Sequence, residues 1–91
     1  MNEKLTLYYS QYCGYCRKVL AFIDEHDIFV EYKDVNEDPA NRKELLTRSG
    51  RTQVPCLMIN DISKFESGDI VAWLNENIVK PEEARRKKEG L

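Results

Sequence analysis

A strand-like run, Leu5-Thr6-Leu7-Tyr8-Tyr9, gives way within four residues to a helical pattern, and the junction holds Cys13-Gly14-Tyr15-Cys16. A second strand-like run follows the helix. A strand–helix–strand start of this kind implies a parallel strand pair joined by a right-handed crossover. The rest of the chain has to be added around that unit.

Residues ~4–10 read as the first strand, with Leu5, Leu7 and Tyr9 alternating against Thr6 and Tyr8. Residues ~14–25 read as a helix, because Cys16, Val19, Leu20 and Ile23 recur at helical spacing and face one core. That pattern turns Cys16 inward, one turn below Cys13. Phe29 to Val35 alternates again and reads as the second strand. Asp38-Pro39 is a helix start, with Asp as cap and Pro at the first helical position. This helix carries Arg42, Leu45 and Leu46 and stops at Gly50. Cys56-Leu57-Met58-Ile59 then reads as a short buried strand, and Asn60-Asp61 turns it into Ile62–Phe65 as a hairpin. Ser67 is the expected cap of a last helix whose apolar face is Ile70, Val71, Leu74 and Ile78.

The order implies an α/β fold: a four-stranded mixed sheet flanked by three helices, in one domain over residues 1–80. Residues 81–91 form a charged C-terminal tail, where the spacings Glu82/Arg86 and Glu83/Lys87 suit a frayed helix.

Charge narrows the function classes. Fourteen Lys and Arg against 16 Asp and Glu give a net charge of −2, so there is no broad basic field for nucleic acid. A local basic patch is expected around Arg42, Lys43, Arg48 and Arg51. No apolar run nears the ~18 residues of a membrane span. Met1-Asn2-Glu3-Lys4 lacks a signal-peptide core, and a cytoplasmic monomer is the expectation.

Three cysteines, two of them close, do not make a secreted disulfide framework. In a reducing compartment a close pair means catalysis or metal. Zinc needs about four ligands, and only His26 and Cys56 remain to complete a set, at poor spacing. No metal is expected. A helix start offers free N–H groups and roughly half a positive charge. These favour the thiolate at Cys13, and the thiolate is the nucleophile. The residues therefore point to thiol–disulfide exchange, with Cys16 as the resolving thiol in a dithiol cycle or as a buried small hydrophobe in a monothiol one. Cys56 reads as core and His26 as a helix-end surface residue.

The element order and the Cys pair resemble a thioredoxin-like fold, and more narrowly a glutaredoxin, over residues ~4 to 78. Cys13-Gly14-Tyr15-Cys16 is similar to that family's Cys-Pro-Tyr-Cys. Arg48-Ser49-Gly50-Arg51-Thr52-Gln53-Val54-Pro55 resembles its segment ending Thr-Val-Pro, where the Pro is cis and lies beside the reactive Cys. Glu66-Ser67-Gly68-Asp69 sits where the family has Gly-Gly and a polar pair. The departures are Gln53 for Thr, Phe65-Glu66 for Gly-Gly, and Ser10 for a common Lys that contacts the glycine carboxylate of glutathione. The Glu-Ser pair resembles the N-terminal domain of glutathione transferases.

The resemblance implies glutathione as co-substrate, disulfide or glutathionylated protein substrates, and electrons from a glutathione reductase system. It implies Cys13 and Cys16 as the catalytic pair. It implies a glutathione site made of Tyr15, Arg42, Gln53, Val54, Pro55, Glu66 and Ser67. In that site Arg42 meets the glycine carboxylate, Val54 pairs with the cysteinyl backbone, and Glu66 and Ser67 meet the γ-glutamyl end. Two other classes stay open: a carrier of a glutathione-ligated [2Fe–2S] cluster, and a thioredoxin-like electron donor that ignores glutathione.

Overall fold

The computed structural model describes residues 3–89. The strands are β1 (Leu5–Tyr9), β2 (Glu31–Asp34), β3 (Cys56–Ile59) and β4 (Ile62–Lys64). The helices are α1 (Gly14–Glu25), α2 (Pro39–Ser49), α3 (Ser67–Leu74) and α4 (Lys80–Glu89). One sheet in the order β2-β1-β3-β4 joins the strands. The β1–β2 pair is parallel, with Thr6 opposite Glu31 and Tyr9 opposite Asp34. The β1–β3 and β3–β4 pairs are antiparallel. This is the thioredoxin-like mixed sheet expected from the element order.

The two-residue period of the strands divides the core in two. Leu5, Leu7, Leu57 and Ile59 face one way and pack with Val19 and Ile23 of α1 and with Ile70 and Leu74 of α3. Tyr8, Cys56 and Met58 face the other way and pack with Val35 and Leu45 of α2. β1 is therefore covered on both faces, and Thr6 and Tyr8 are as buried as Leu7. The half-polar alternation read from the sequence understates this burial, because α2 roofs the face that Tyr8 shows.

α2 is held to that face by polar bonds as well. The Tyr8 hydroxyl donates to Glu44 and accepts from Arg48 Nη1 at 3.0 Å. Lys33 Nζ reaches both Glu44 oxygens at 2.8 and 2.9 Å. Arg48 Nη2 donates to the Asn60 carbonyl at 3.0 Å. The Lys33 ammonium, followed by the Tyr8 hydroxyl, holds the Glu44 carboxyl below its usual range. Arg48 is thus engaged with the sheet. Arg51 lies 4.9 Å over the Phe65 ring and Arg42 donates to Asn36 Oδ1, so three of the four cations of the expected basic patch are already partnered.

Local rules set most helix ends. Asp38 caps α2, accepting from Ala40 N at 2.9 Å, with Pro39 at the start and Gly50 at φ 81° closing it. There glycine supplies the left-handed backbone at no steric cost. The hairpin turn puts Asn60 at φ 55°. Two expectations shift. β2 begins at Glu31 rather than Phe29, since the pairing with β1 starts opposite Thr6. Glu66, not Ser67, is the cap residue of α3, and Ser67 is its first helical residue.

The last helix also runs on. α3 passes through a π-helical turn, Asn75–Val79, into α4 across Pro81. Pro81 has no N–H to give a helical bond, and the wider π spacing falls just before it. The Glu82/Arg86 and Glu83/Lys87 pairings involve side chains outside the described residues. Among the described residues no helix is long and apolar enough to cross a membrane.

Candidate active site

Cys13 stands in extended conformation (φ −101°, ψ 119°) as the residue before α1. Its own N–H donates to the Ser10 carbonyl at 3.3 Å, and its carbonyl accepts from Arg17 N at 3.2 Å. The turn is thereby fixed on both sides of the thiol. Its sulfur lies 3.9 Å from the Val54 carbonyl, to which the thiol donates. The Val54–Pro55 bond is cis, as the resemblance implied.

The two thiols of the pair sit in different surroundings. Cys13 is half-buried; Cys16 is 0% exposed. Burial alone pushes the Cys13 thiol up, but the Cys16 N–H, the Cys16 thiol and the Tyr15 N–H outweigh it, so Cys13 lies below the ordinary thiol range. No side chain caps the helix by the usual hydrogen-bond limits; the stabilisation goes to the charged sulfur, which those first-turn N–H groups face. Cys16 is pushed up to about 12, chiefly by burial, with the Cys13 sulfur and the Asp34 charge adding to it and the Ser10 N–H opposing. Cys56, fully buried on the α2 face, is pushed up to about 11 by burial.

The segment that ends in the cis Val54–Pro55 bond lies against Cys13. Val54 touches it directly. Phe65 packs in the same apolar cluster as Val54, and Arg51 covers the Phe65 ring. The segment 51–55 and the start of α3 are thus joined through Phe65, one residue before Glu66. Gln53 and Glu66 are exposed and Ser67 is half-buried. Among the described residues none of these three side chains makes a hydrogen bond within the chain. Tyr15 is 71% exposed. Arg42, also exposed, donates to Asn36 Oδ1 at 3.3 Å, and Asn36 in turn donates to the Ser10 hydroxyl.

The sequence reading passed over Asp34, Asn36 and Phe65. Asp34 ends β2 and its Oδ1 accepts from Asn36 N at 2.8 Å and Glu37 N at 3.1 Å. That is the bonding of an Asx turn, so the signal available was the polar run from Asp34 to Asp38. Phe65 carried no local signal, because its neighbours come from elsewhere in the chain. Among the described residues no group of three or more His, Cys, Asp or Glu side chains is arranged to hold a metal ion.

This chemistry has relatives. Residues 5–63 match the family model for glutaredoxin. Prostaglandin E synthase 2 of Danio rerio is 37% identical over 68 residues, which is 75% of this chain and 17% of that protein. Glutaredoxin 3 of Escherichia coli K12 is 30% identical over 54 residues, covering 59% of this chain and 65% of the relative. Human glutathione transferase theta-2, in complex with glutathione, superposes with a TM-score of 0.69 at 25% identity, over 78% of this chain and 30% of the transferase. The chain thus spans a sixth to two thirds of the length of the relatives it matches.

Proposed function

The chain belongs to the glutaredoxin family, whose function is of the thiol–disulfide oxidoreductase type, and from that premise we propose that it reduces glutathione mixed disulfides and low-molecular-weight or protein disulfides with glutathione as co-substrate. Cys13 is the nucleophile. Its thiolate attacks the glutathione sulfur of a mixed disulfide; a new S–S bond forms, the old one breaks, and the substrate leaves as a thiolate that takes a proton from water. A second glutathione thiolate then attacks the sulfur bound to Cys13, releasing the Cys13 thiolate and oxidised glutathione. The net exchange converts mixed disulfide plus glutathione into free thiol plus oxidised glutathione. A glutathione reductase using NADPH restores the pool. A reducing, cytoplasmic compartment suits this cycle.

In this reading Arg42 takes the glycine carboxylate, Tyr15 flanks the tripeptide, and the Val54 backbone pairs with its cysteinyl unit beside Pro55. Gln53 borders that strand-like contact, and Glu66 and Ser67 receive the γ-glutamyl end. The observation that carries the proposal is the contrast within the pair: a half-exposed Cys13 held below the ordinary thiol range beside a fully buried Cys16 pushed up to about 12. It favours resolution by a free glutathione over attack by Cys16.

The test is reduction of a glutathionylated mixed disulfide, coupled to glutathione reductase and NADPH, in wild type, Cys13→Ser and Cys16→Ser. Activity lost in the first variant and kept in the second is the expected result. An inactive wild type overturns the proposal.

A further inference from the structure

The reaction above makes no use of the turn between β2 and α2, yet that turn is bonded to the loop that presents Cys13. Ser10, 7% exposed, is the meeting point. Its hydroxyl accepts from Tyr12 N at 3.2 Å and from the Asn36 side-chain amide. Its carbonyl accepts from Cys13 N at 3.3 Å. One residue on, Gln11 Nε2 donates to Asp34 Oδ2 at 3.1 Å. Asp34 is itself 7% exposed. Its other oxygen takes the N–H groups of Asn36 and Glu37, and its backbone carbonyl accepts from Asn41 Nδ2 at 3.0 Å. The buried carboxylate therefore fixes Asn36 from behind, and Asn36 reaches Ser10 in front.

We propose that Asn36 is a positioning residue for the Cys13 nucleophile, acting through Ser10. The proposal rests on the reading of Cys13 as nucleophile. Ser10 is where the family commonly carries Lys, and its short buried hydroxyl can join this clip. A buried hydroxyl with two N–H partners has little freedom to move. With Ser10 fixed, the bond from Cys13 N to the Ser10 carbonyl sets where the sulfur stands over the first N–H groups of α1. Cutting the clip lets the loop swing and draws the sulfur away from those groups. The thiolate then loses its stabilisation and the nucleophile its aim. Asn36 bonds Ser10 through its amide nitrogen and Arg42 through its oxygen, so Ser10→Ala cuts the clip and leaves the Arg42 contact in place, and Arg42→Ala does the reverse.

The test is a thiolate titration of Cys13 by ultraviolet absorbance, alongside steady-state kinetics, for wild type, Asn36→Ala, Ser10→Ala, Ser10→Thr and Arg42→Ala. Thermal unfolding checks that each variant folds. Asn36→Ala and Ser10→Ala are expected to move the Cys13 titration up by about one unit. Less thiolate, partly offset by greater intrinsic nucleophilicity, then lowers kcat about threefold to tenfold near neutral pH. Ser10→Thr, which keeps the hydroxyl, is expected to titrate as wild type. Arg42→Ala is expected to raise KM for glutathione and leave the titration in place. Folded Asn36→Ala and Ser10→Ala proteins with the wild-type titration and kcat overturn the proposal. So does a Ser10→Thr variant that behaves like Ser10→Ala. The titration needs no turnover, so it reads the positioning role separately from whether the wild type reduces a glutathione mixed disulfide.

Discussion

At its N-terminal end α1 receives Cys13, and at its C-terminal end, about 18 Å away by helix rise, it borders a wide cavity. The first end is small and bonded: a space of about 170 Å³ among Gln11, Tyr12, Asp34, Asn36 and Glu37, with hydrogen bonds tying one loop to the next. The second end is wide: about 640 Å³, bordered by Glu25, Asp27, Phe29 and Ile78, with carboxylates on its rim and no thiol. Phe29 there is 92% exposed. Volume and chemistry are thus found at opposite ends of one helix. The lowered Cys13 thiol comes from the aim of backbone N–H groups, and the proposed nucleophile therefore needs no enclosed space. A thiolate at the other end would face carboxylates and lack the helix-start N–H groups.

The sharpest way to break that comparison is to alter each end in turn. Cys13→Ser is expected to cut mixed-disulfide reduction by about a thousandfold or more, as loss of a nucleophile does. The double charge reversal Glu25→Lys, Asp27→Lys is expected to stay within about twofold of wild type. A comparable loss from the second change would mean that the wide end takes part in the reaction.

The two ends share a spine, and cutting it tests whether stability and reactivity separate. Ile23 is 1% exposed and packs between sheet and helices. Ile23→Ala is expected to cost about 2–5 kcal/mol in denaturant unfolding while the Cys13 titration in the folded state holds. A smaller effect is expected from pH. Burial raises the folded-state Cys56 thiol to about 11. The neutral form is favoured by folding, so this contribution is full below the unfolded value of about 8.5 and is lost as pH rises towards and through 11. Unfolding free energy followed between pH 8 and 11 is expected to fall less steeply in Cys56→Ala than in wild type. Identical slopes would remove Cys56 as a cause. The smallest effect is Phe29→Ser, within about 0.5 kcal/mol of wild type by the same unfolding measurement, because so exposed a ring has little contact to lose.

Much of the framework was legible because it is local. The spacing of Cys16, Val19 and Ile23 gives α1 and its buried face; Asp38, Pro39 and Gly50 give both ends of α2; the pair Asn60-Asp61 gives the hairpin. The placement of Cys13 ahead of a helix start is also a local fact. Two errors of detail show the limit. Phe29 and Val30 look like strand residues by composition, but β2 begins where β1 lies alongside to pair with it. Ser67 looks like a cap by residue type, yet the chain turns one residue earlier.

What the sequence by itself determined is the order of the elements, the thioredoxin-like sheet they make, and the presence of two thiols at the head of a helix. Helix and strand periods, caps and turns act over a few residues, so they can be read in line. Helical spacing also turns Cys16 inward, where it is fully buried, and what only the tertiary structure decided is what holds the Cys13 turn in place. Cys13 meets a carbonyl 41 residues away at Val54. Ser10 is tied by Asn36 across 26 residues of chain. Burial and long-range hydrogen bonds depend on which segments the fold brings together, and no pattern within either segment states that.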